Sequence, residues 1–125
     1  MERCLTFSTI TELLRVPAGA VVCVKADGNY SSIMTADGAE HVLTLQLGQI
    51  ERRIADMLEL GDHRFIRIGK SLIVNCDFIS FINVSRQRLI LSDCRTFSQE
   101  LSASKEALKS LKEVLENMNA NDKSE

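Results

Sequence analysis

The chain has 125 residues, 45% of them hydrophobic and 26% charged, which is typical of one soluble globular domain with a modest core. No apolar run approaches the roughly eighteen residues of a membrane span, and the N-terminus lacks a secretion-signal pattern, so a cytoplasmic protein with no membrane contact is expected. The four cysteines and two histidines do not have the spacing of a metal or redox site. We therefore expect no metal and no cofactor.

Charge is distributed unevenly along the chain, although the net charge is only −2. Residues 1–63 carry five Lys/Arg and nine Asp/Glu, whereas residues 64–112 carry nine Lys/Arg and four Asp/Glu. Residues 113–125 carry one and four, respectively. Because local fields decide whether a polyanion is attracted, the basic middle of the chain is compatible with a nucleic-acid partner.

The first third of the chain favours short antiparallel strands. Residues 1–20 contain the alternating Leu5-Thr6-Phe7 and indicate two short strands, or a strand and a helical turn. Two Asp-Gly pairs then separate β-rich runs, which is a strong hairpin signal. The pattern predicts strands at Val21–Val24, Tyr30–Thr35 and His41–Leu45, with turns at Asp27-Gly28-Asn29 and Asp37-Gly38. Together with the strand that precedes them, these three would form an antiparallel meander of four strands in series.

A helix follows, because apolar residues recur at three- and four-residue intervals from Leu47 to Leu58. Gly61 is expected to end this helix, which should lie across one face of the sheet. The next run, Arg64–Ile82, is the most β-like part of the chain. It is interrupted by Gly69-Lys70-Ser71, where glycine permits a left-handed backbone, and by the polar Asn75-Cys76-Asp77. A tight connection with a solvated lysine is the alternative interpretation of the first interruption.

The last part of the chain predicts two short strands and a helix. The strands are expected at Arg88–Leu91 and from Arg95 onward. An apolar stripe with helical spacing follows, and Ser102 or Ser104 is the expected N-cap. The stripe comprises Leu101, Leu108, Leu111, Leu115 and Met118. The order of elements predicts an α+β fold, with a mostly antiparallel β core, one mid-chain helix and one C-terminal helix. We expect one domain over residues 1–118 and a flexible acidic tail over 119–125.

No catalytic constellation can be assembled from the sequence. It contains no Gly-rich phosphate loop, no G-x-S-x-G and no His-x-x-x-His. His41 falls in a predicted strand and His63 in a loop, and neither has a partner nearby in the sequence. We therefore expect a protein that is not an enzyme and has no catalytic residues.

The order of these segments resembles the LytTR-type DNA-binding domain of bacterial transcription regulators over roughly residues 15–118. The most specific part is Phe65-Ile66-Arg67 followed by Lys70-Ser71-Leu72-Ile73-Val74-Asn75, which is similar to the family's Phe-x-Arg-x-His-Arg-Ser-x-x-Val-Asn signature. The Gly28-Asn29-Tyr30 turn and Leu101-Ser102 support it. The resemblance implies a mostly β fold whose loops enter successive major grooves of double-stranded DNA. It also implies that paired domains bind direct repeats, so a homodimer on DNA is expected.

The resemblance also implies the DNA contacts. Three loops would supply them, and Arg67 would add sequence-independent attraction together with Arg86, Arg88 and Lys109. The loop residues are Asn29, Tyr30, Ser31 and Ser32; Gly69, Lys70 and Ser71; and Ser102, Ala103, Ser104 and Lys105. Lys70 could meet a phosphate or a guanine edge, and the third loop precedes a helix N-terminus that favours phosphate.

Three departures from the family pattern favour an alternative. Gly69 and Lys70 stand where the family has His and Arg, and Ala103-Ser104 follows Leu101-Ser102 where an Arg is usual. Lysine lacks the bidentate fork with which arginine reads guanine.

The chain is also expected to be a stand-alone module, so its signal would enter through a partner regulator or sensor, through its abundance or through dimerisation. The alternative is a protein-interaction module of the same fold that has lost DNA specificity and acts through a partner regulator.

Overall fold

The computed structural model describes residues 3–123, and it describes side chains as far as Met118. The chain divides into two compact units, and the boundary falls between Asp77 and Phe78. A short 3-10 helix, Cys76–Phe78, spans this boundary in the sequence. The two units contain strands and one helix each, so the predicted α+β class with a mostly antiparallel β core is confirmed.

The first unit contains a two-stranded sheet, a five-stranded sheet and one helix. Its elements are β1 (Cys4–Ser8), β2 (Leu13–Pro17), β3 (Val21–Asp27), β4 (Tyr30–Thr35), β5 (Glu40–Leu43), α1 (Leu47–Met57), β6 (Phe65–Ile68) and β7 (Leu72–Asn75). A 3-10 turn, Ala18–Ala20, joins β2 to β3. Among the described residues, β1 and β2 pair with each other and with no other strand. The larger sheet has the order β5-β4-β3-β7-β6, with every pairing antiparallel.

Both predicted Asp-Gly hairpins are present, and in each turn the glycine has a positive φ, +62° at Gly28 and +88° at Gly38. The predicted meander of four strands is wrong in one respect. Strands β3, β4 and β5 are consecutive neighbours in the sheet, but β2 is not part of it, because β2 pairs with β1 in a separate sheet. The remaining neighbour of β3 is β7, which arrives from the Arg64–Ile82 run.

Helix α1 packs its apolar stripe on the core of the first unit, as predicted. Leu47, Ile50 and Ile54 are buried against side chains of β1, β3 and β4, among them Phe7 and Ile33. The prediction that Gly61 ends the helix is wrong. The last helical hydrogen bond, from Leu58 N–H to the Ile54 carbonyl, is followed by an extended backbone at Leu58, and Gly61 lies in the next turn with φ +94°.

The second unit is a three-stranded antiparallel sheet and a helix. Its elements are β8 (Ile79–Asn83), β9 (Arg88–Ser92), β10 (Ser98–Ser102) and α2 (Lys105–Lys123), with the strand order β10-β9-β8. Leu89 and Leu91 of β9 and Leu108 and Leu111 of α2 are buried. The alternation along β9 therefore marks the core correctly. The helical spacing along α2 does so at Leu108 and Leu111, whereas Leu115 is half-buried and Met118 is 39% exposed.

The end of this unit differs from the prediction in two places. The last strand begins at Ser98 rather than at Arg95, because the Asp93 carboxylate accepts the N–H groups of Arg95, Thr96 and Phe97 and holds them in a loop. Leu101 belongs to β10, where it pairs with Leu89, and not to the helical stripe.

Helix α2 extends to Lys123, whereas the sequence predicted a tail from residue 119. The side chains of that segment and the last two residues lie outside the described residues, so its flexibility stays a prediction. Neither helix, over the residues that the structure describes, is long and apolar enough to cross a membrane.

Candidate nucleic-acid interface

Two of the predicted DNA-contacting loops lie at the same end of the five-stranded sheet. The turn after β3 contains Gly28 and Asn29, and the turn between β6 and β7 contains residues 69–71. Since β7 runs antiparallel to β3 with Leu72 opposite Lys25, both turns project from that end. The Ala26 N–H donates to the Ser71 carbonyl at 2.8 Å and ties the two together.

The turn at residues 69–71 is an open protrusion. Ile68 and Leu72 pair with each other, so Gly69, Lys70 and Ser71 form a three-residue connection. Gly69 has φ +62°, which an L side chain rarely adopts, and no atom outside its chain neighbours lies within 4 Å of a Cβ built there. Lys70 and Ser71 are exposed. Lys70 forms no ion pair with any residue between 3 and 118, so its charge is available to an anion.

The Arg67 side chain connects this protrusion to helix α1. Its guanidinium lies 2.8 Å from a Glu51 carboxylate oxygen of α1, and it donates to the carbonyls of Gly69 at 3.2 Å and Lys70 at 3.3 Å. The guanidinium has several N–H donors in a rigid fork, so one side chain can serve three acceptors at once. The sequence gives no signal that Glu51 pairs with Arg67, because the two residues are sixteen positions apart and on different elements.

The turn after β3 presents only part of its predicted set. Asn29 is exposed and Tyr30 is 49% exposed. Ser31, in contrast, is fully buried, and its hydroxyl donates to the Leu45 carbonyl at 2.7 Å. Side chains alternate between the faces of a strand, so the residue after an exposed Tyr30 faces the core. In this conformation Ser31 cannot reach DNA, and it fastens β4 to the segment that leads into α1.

The third predicted loop belongs to the second unit. Ser102 ends β10 and is exposed, and Lys105 is the exposed first residue of α2. Ser104 is the N-cap, because its hydroxyl accepts the Ala107 N–H at 3.1 Å. The Ala103 carbonyl accepts the Gln87 side-chain amide at 3.3 Å. Lys105 therefore adds a positive charge to a capped helix N-terminus, where the helix dipole already favours anions.

The other predicted cations of this unit divide into two groups. Arg88 forms a two-contact ion pair with Glu100, at 3.1 and 2.9 Å. The hydrogen bonds with Glu100 raise the pKa of Arg88, and those with Arg88 lower the pKa of Glu100. Arg86 and Lys109 are exposed and have no ion-pair partner among the described residues. These two side chains, rather than Arg88, have a charge that a phosphate could neutralise.

The described part of the chain contains no cluster of metal-binding side chains, and two of its four cysteines are buried. No group of three His, Cys, Asp or Glu side chains there could hold a metal ion. Cys23 and Cys76 are buried, and desolvation raises the pKa of each thiol to about 11. Both are therefore protonated near neutral pH and behave as small apolar residues.

The sequence model of the LytTr DNA-binding domain matches residues 11–116. This chain belongs to the LytTr DNA-binding domain family. Among solved structures, it is similar to the LytTr DNA-binding domain of a Bacillus cereus protein described as a methyl-accepting/DNA response regulator. The TM-score is 0.64 and the identity 19%, and the match covers 92% of this chain and 98% of the other. No curated protein matched the chain.

Membership of the LytTr family shows the fold and a broad role in DNA binding, and the family is one of DNA-binding domains rather than enzymes. The likeness to the Bacillus cereus domain, at this identity, concerns the fold alone. The site residues of this LytTr chain therefore depend on its own geometry.

Proposed function

We propose that this LytTr chain is a transcription regulator that reads double-stranded DNA in a sequence-specific manner. The observation that carries the proposal is the exposed Lys70 on a raised turn, without an ion-pair partner among residues 3–118, next to the Asn29-Tyr30 turn at one end of the sheet. Hydrogen bonds from exposed turn side chains to base edges give sequence discrimination, and Lys70 supplies attraction to phosphate. A regulator of this kind acts in the cytoplasm, where its DNA is.

Within the second unit, Ser102, Ser104 and Lys105 would contact the DNA backbone. The helix N-terminus beneath them favours phosphate oxygens, and Arg86 and Lys109 would increase attraction that does not depend on sequence. Within the first unit we assign Arg67 to positioning, because its donors are engaged by Glu51 and by the turn itself. Ser31 is assigned to the core, and Ser71 is retained as an exposed contact.

Two identical domains on a direct repeat are the expected assembly on DNA. Two domains make twice as many base contacts as one. This compensates for the weaker base contact of Lys70, because lysine cannot form the bidentate hydrogen bonds with which arginine reads guanine. A partner regulator or sensor would then set when the protein binds.

The alternative is an interaction module that has lost DNA specificity. Two of the cations that could meet DNA, Arg67 and Arg88, are neutralised by carboxylates of the same chain. Such a module would act by pairing with a partner regulator rather than by reading an operator.

Selection from random duplexes, followed by anisotropy titrations at two salt concentrations, tests the proposal. We expect enrichment of a direct repeat and an affinity that falls steeply as salt rises. We expect Lys70→Ala to weaken binding to that site by about tenfold, the loss of one charge-assisted contact, with an unchanged circular dichroism spectrum. Arg15→Ala is the matched control, because it removes one exposed positive charge from the separate β1–β2 sheet.

Weak binding without any enriched motif would favour the interaction module. Equal losses in Lys70→Ala and Arg15→Ala would show that only net charge matters, and would refute a contact at the turn.

A further inference from the structure

An open groove in the first unit is bounded by two strand edges. Its volume is about 470 Å³, and every residue that lines it belongs to one of two segments, Glu12–Leu14 or Glu40–Leu43. Strand β5 is the edge of the five-stranded sheet, and β2 has β1 on one side only. The groove contains neither of the turns assigned to DNA.

The backbone of β5 directs unpaired groups into this groove. The Thr35 N–H donates to the Ala39 carbonyl at 3.0 Å, which makes these residues a hydrogen-bonded pair. Bonded and non-bonded pairs alternate along an antiparallel ladder, so the pairs formed by Glu40 and Val42 are non-bonded. Their N–H and C=O groups point away from β4 and have no partner among the described residues.

Strand β2, on the opposite wall of the groove, also has backbone groups that point away from its partner strand. Hydrogen bonds from Thr9 N–H to the Glu12 carbonyl and from Ala18 N–H to the Arg3 carbonyl bracket the β1–β2 ladder. By the same alternation, Leu13, which lines the groove, and Arg15, which lies beyond its lining, direct their N–H and C=O groups away from β1. Pro17 occupies the next outward position and has no N–H, so it limits pairing to the first half of β2.

The side chains of the groove indicate the occupant. Leu14 and Leu43, which face the core, supply an apolar floor. Leu13 and Val42, one on each wall, are 66% and 55% exposed and add apolar surface to the groove. Glu12, Glu40 and His41 are the titratable residues that line the groove, and no Lys or Arg between residues 3 and 118 lines it. An extended chain with apolar residues on one face and basic residues on the other complements this pattern.

We propose that this groove binds an extended segment of a partner protein, with alternating apolar and basic residues, as an added β-strand between β5 and β2. The segment would form hydrogen bonds with the outward backbone groups of both walls, which gives affinity, while the alternation of its side chains gives specificity. It would join the two sheets of the first unit into one. The LytTr domain would thereby have a protein-binding surface distinct from its DNA-contacting turns.

The test uses the full chain and an acetylated, fluorescent Lys-Val-Lys-Val-Lys-Val peptide. We expect saturable anisotropy with a Kd below about 1 mM, and no binding of the same peptide with its valine nitrogens methylated or of a Glu-Val counterpart. Val42→Pro removes only an outward N–H, which edge strands tolerate, and should weaken binding by about two- to tenfold, the loss of one hydrogen bond. Glu40→Gln should weaken it several-fold, whereas Asp56→Asn, an exposed acid on α1 outside the groove, should not.

Three results would overturn the proposal. The first is the absence of saturable binding of the Lys-Val peptide to native protein. The second is binding of the N-methylated or the Glu-Val peptide as tight as that of the Lys-Val peptide. Both results are obtained with native protein, so neither depends on whether a variant folds. The third is a concentration-dependent dimer, detected by sedimentation, that Val42→Pro dissociates, because this would assign the groove to a second copy of the chain. DNA affinity in the Val42→Pro variant should equal that of wild type, so this test is independent of the proposed DNA binding.

Discussion

Glu51→Gln separates two roles for Arg67, because they predict changes of opposite sign in DNA affinity. If Arg67 positions the turn at residues 69–71, removal of the Glu51 charge loosens the guanidinium and the turn, and DNA affinity falls. If Arg67 contacts phosphate itself, the same substitution frees its charge and removes a nearby negative charge, and DNA affinity rises. We expect it to fall.

The size of the effect follows from the exposure of the pair. The Arg67 and Glu51 side chains are 31% and 49% exposed, so their 2.8 Å contact is a partly screened surface ion pair. Such pairs contribute about 0.2–1 kcal/mol, and Arg67 retains its bonds to the Gly69 and Lys70 carbonyls. If this energy is lost from the DNA-bound arrangement, affinity should fall by about 1.5- to 5-fold.

The assay is anisotropy on the selected operator over a series of salt concentrations. The slope of log Kd against log salt should not change, since a positioning residue releases no counterions from DNA. Asp56→Asn on the same helix is the control for the loss of one negative charge, and should leave affinity unchanged or slightly tighter. In an Arg67→Ala background, Glu51→Gln should have no effect. Tighter binding by Glu51→Gln than by Asp56→Asn would refute the positioning role.

Two further predictions concern stability. Asn75 is fully buried; its amide donates to the Val21 carbonyl at 2.9 Å and its oxygen accepts the Asp77 N–H at 3.0 Å, so Asn75→Ala should lower the free energy of unfolding by about 2–4 kcal/mol. Urea titration measures this, and a loss no larger than that of the exposed Asn29→Ala would contradict it. Hydrogen bonds from the Thr96 hydroxyl and from backbone N–H groups lower the pKa of Asp93. Its stabilising contribution is therefore complete above the usual carboxyl pKa and is lost as pH falls through the folded pKa. Asp93→Asn should flatten the loss of thermal stability below about pH 4, and an unchanged acid profile would refute this assignment.

The sequence alone determined the local elements and the positions of the exposed turns. Asp-Gly pairs, the glycine at residue 69 and helical spacing of leucines act through φ preferences and side-chain periodicity, which are properties of neighbouring residues. The two hairpins, both helices and the exposed Lys70 turn were predicted for this reason. The strand after Asp93 was placed too early, because one carboxylate there collects three backbone N–H groups that a strand would need.

Only the tertiary structure decided which side chains remain available. Ser31 and Tyr30 are adjacent in the sequence, yet the face of β4 that packs on the core buries one and exposes the other. Arg67 looks like a free cation until α1 brings Glu51 to it. The groove exists because β2 pairs with β1 and leaves one edge of β5 open. Each of these outcomes depends on pairing between segments distant in the chain, and the energy of such contacts is not encoded in any short window of residues.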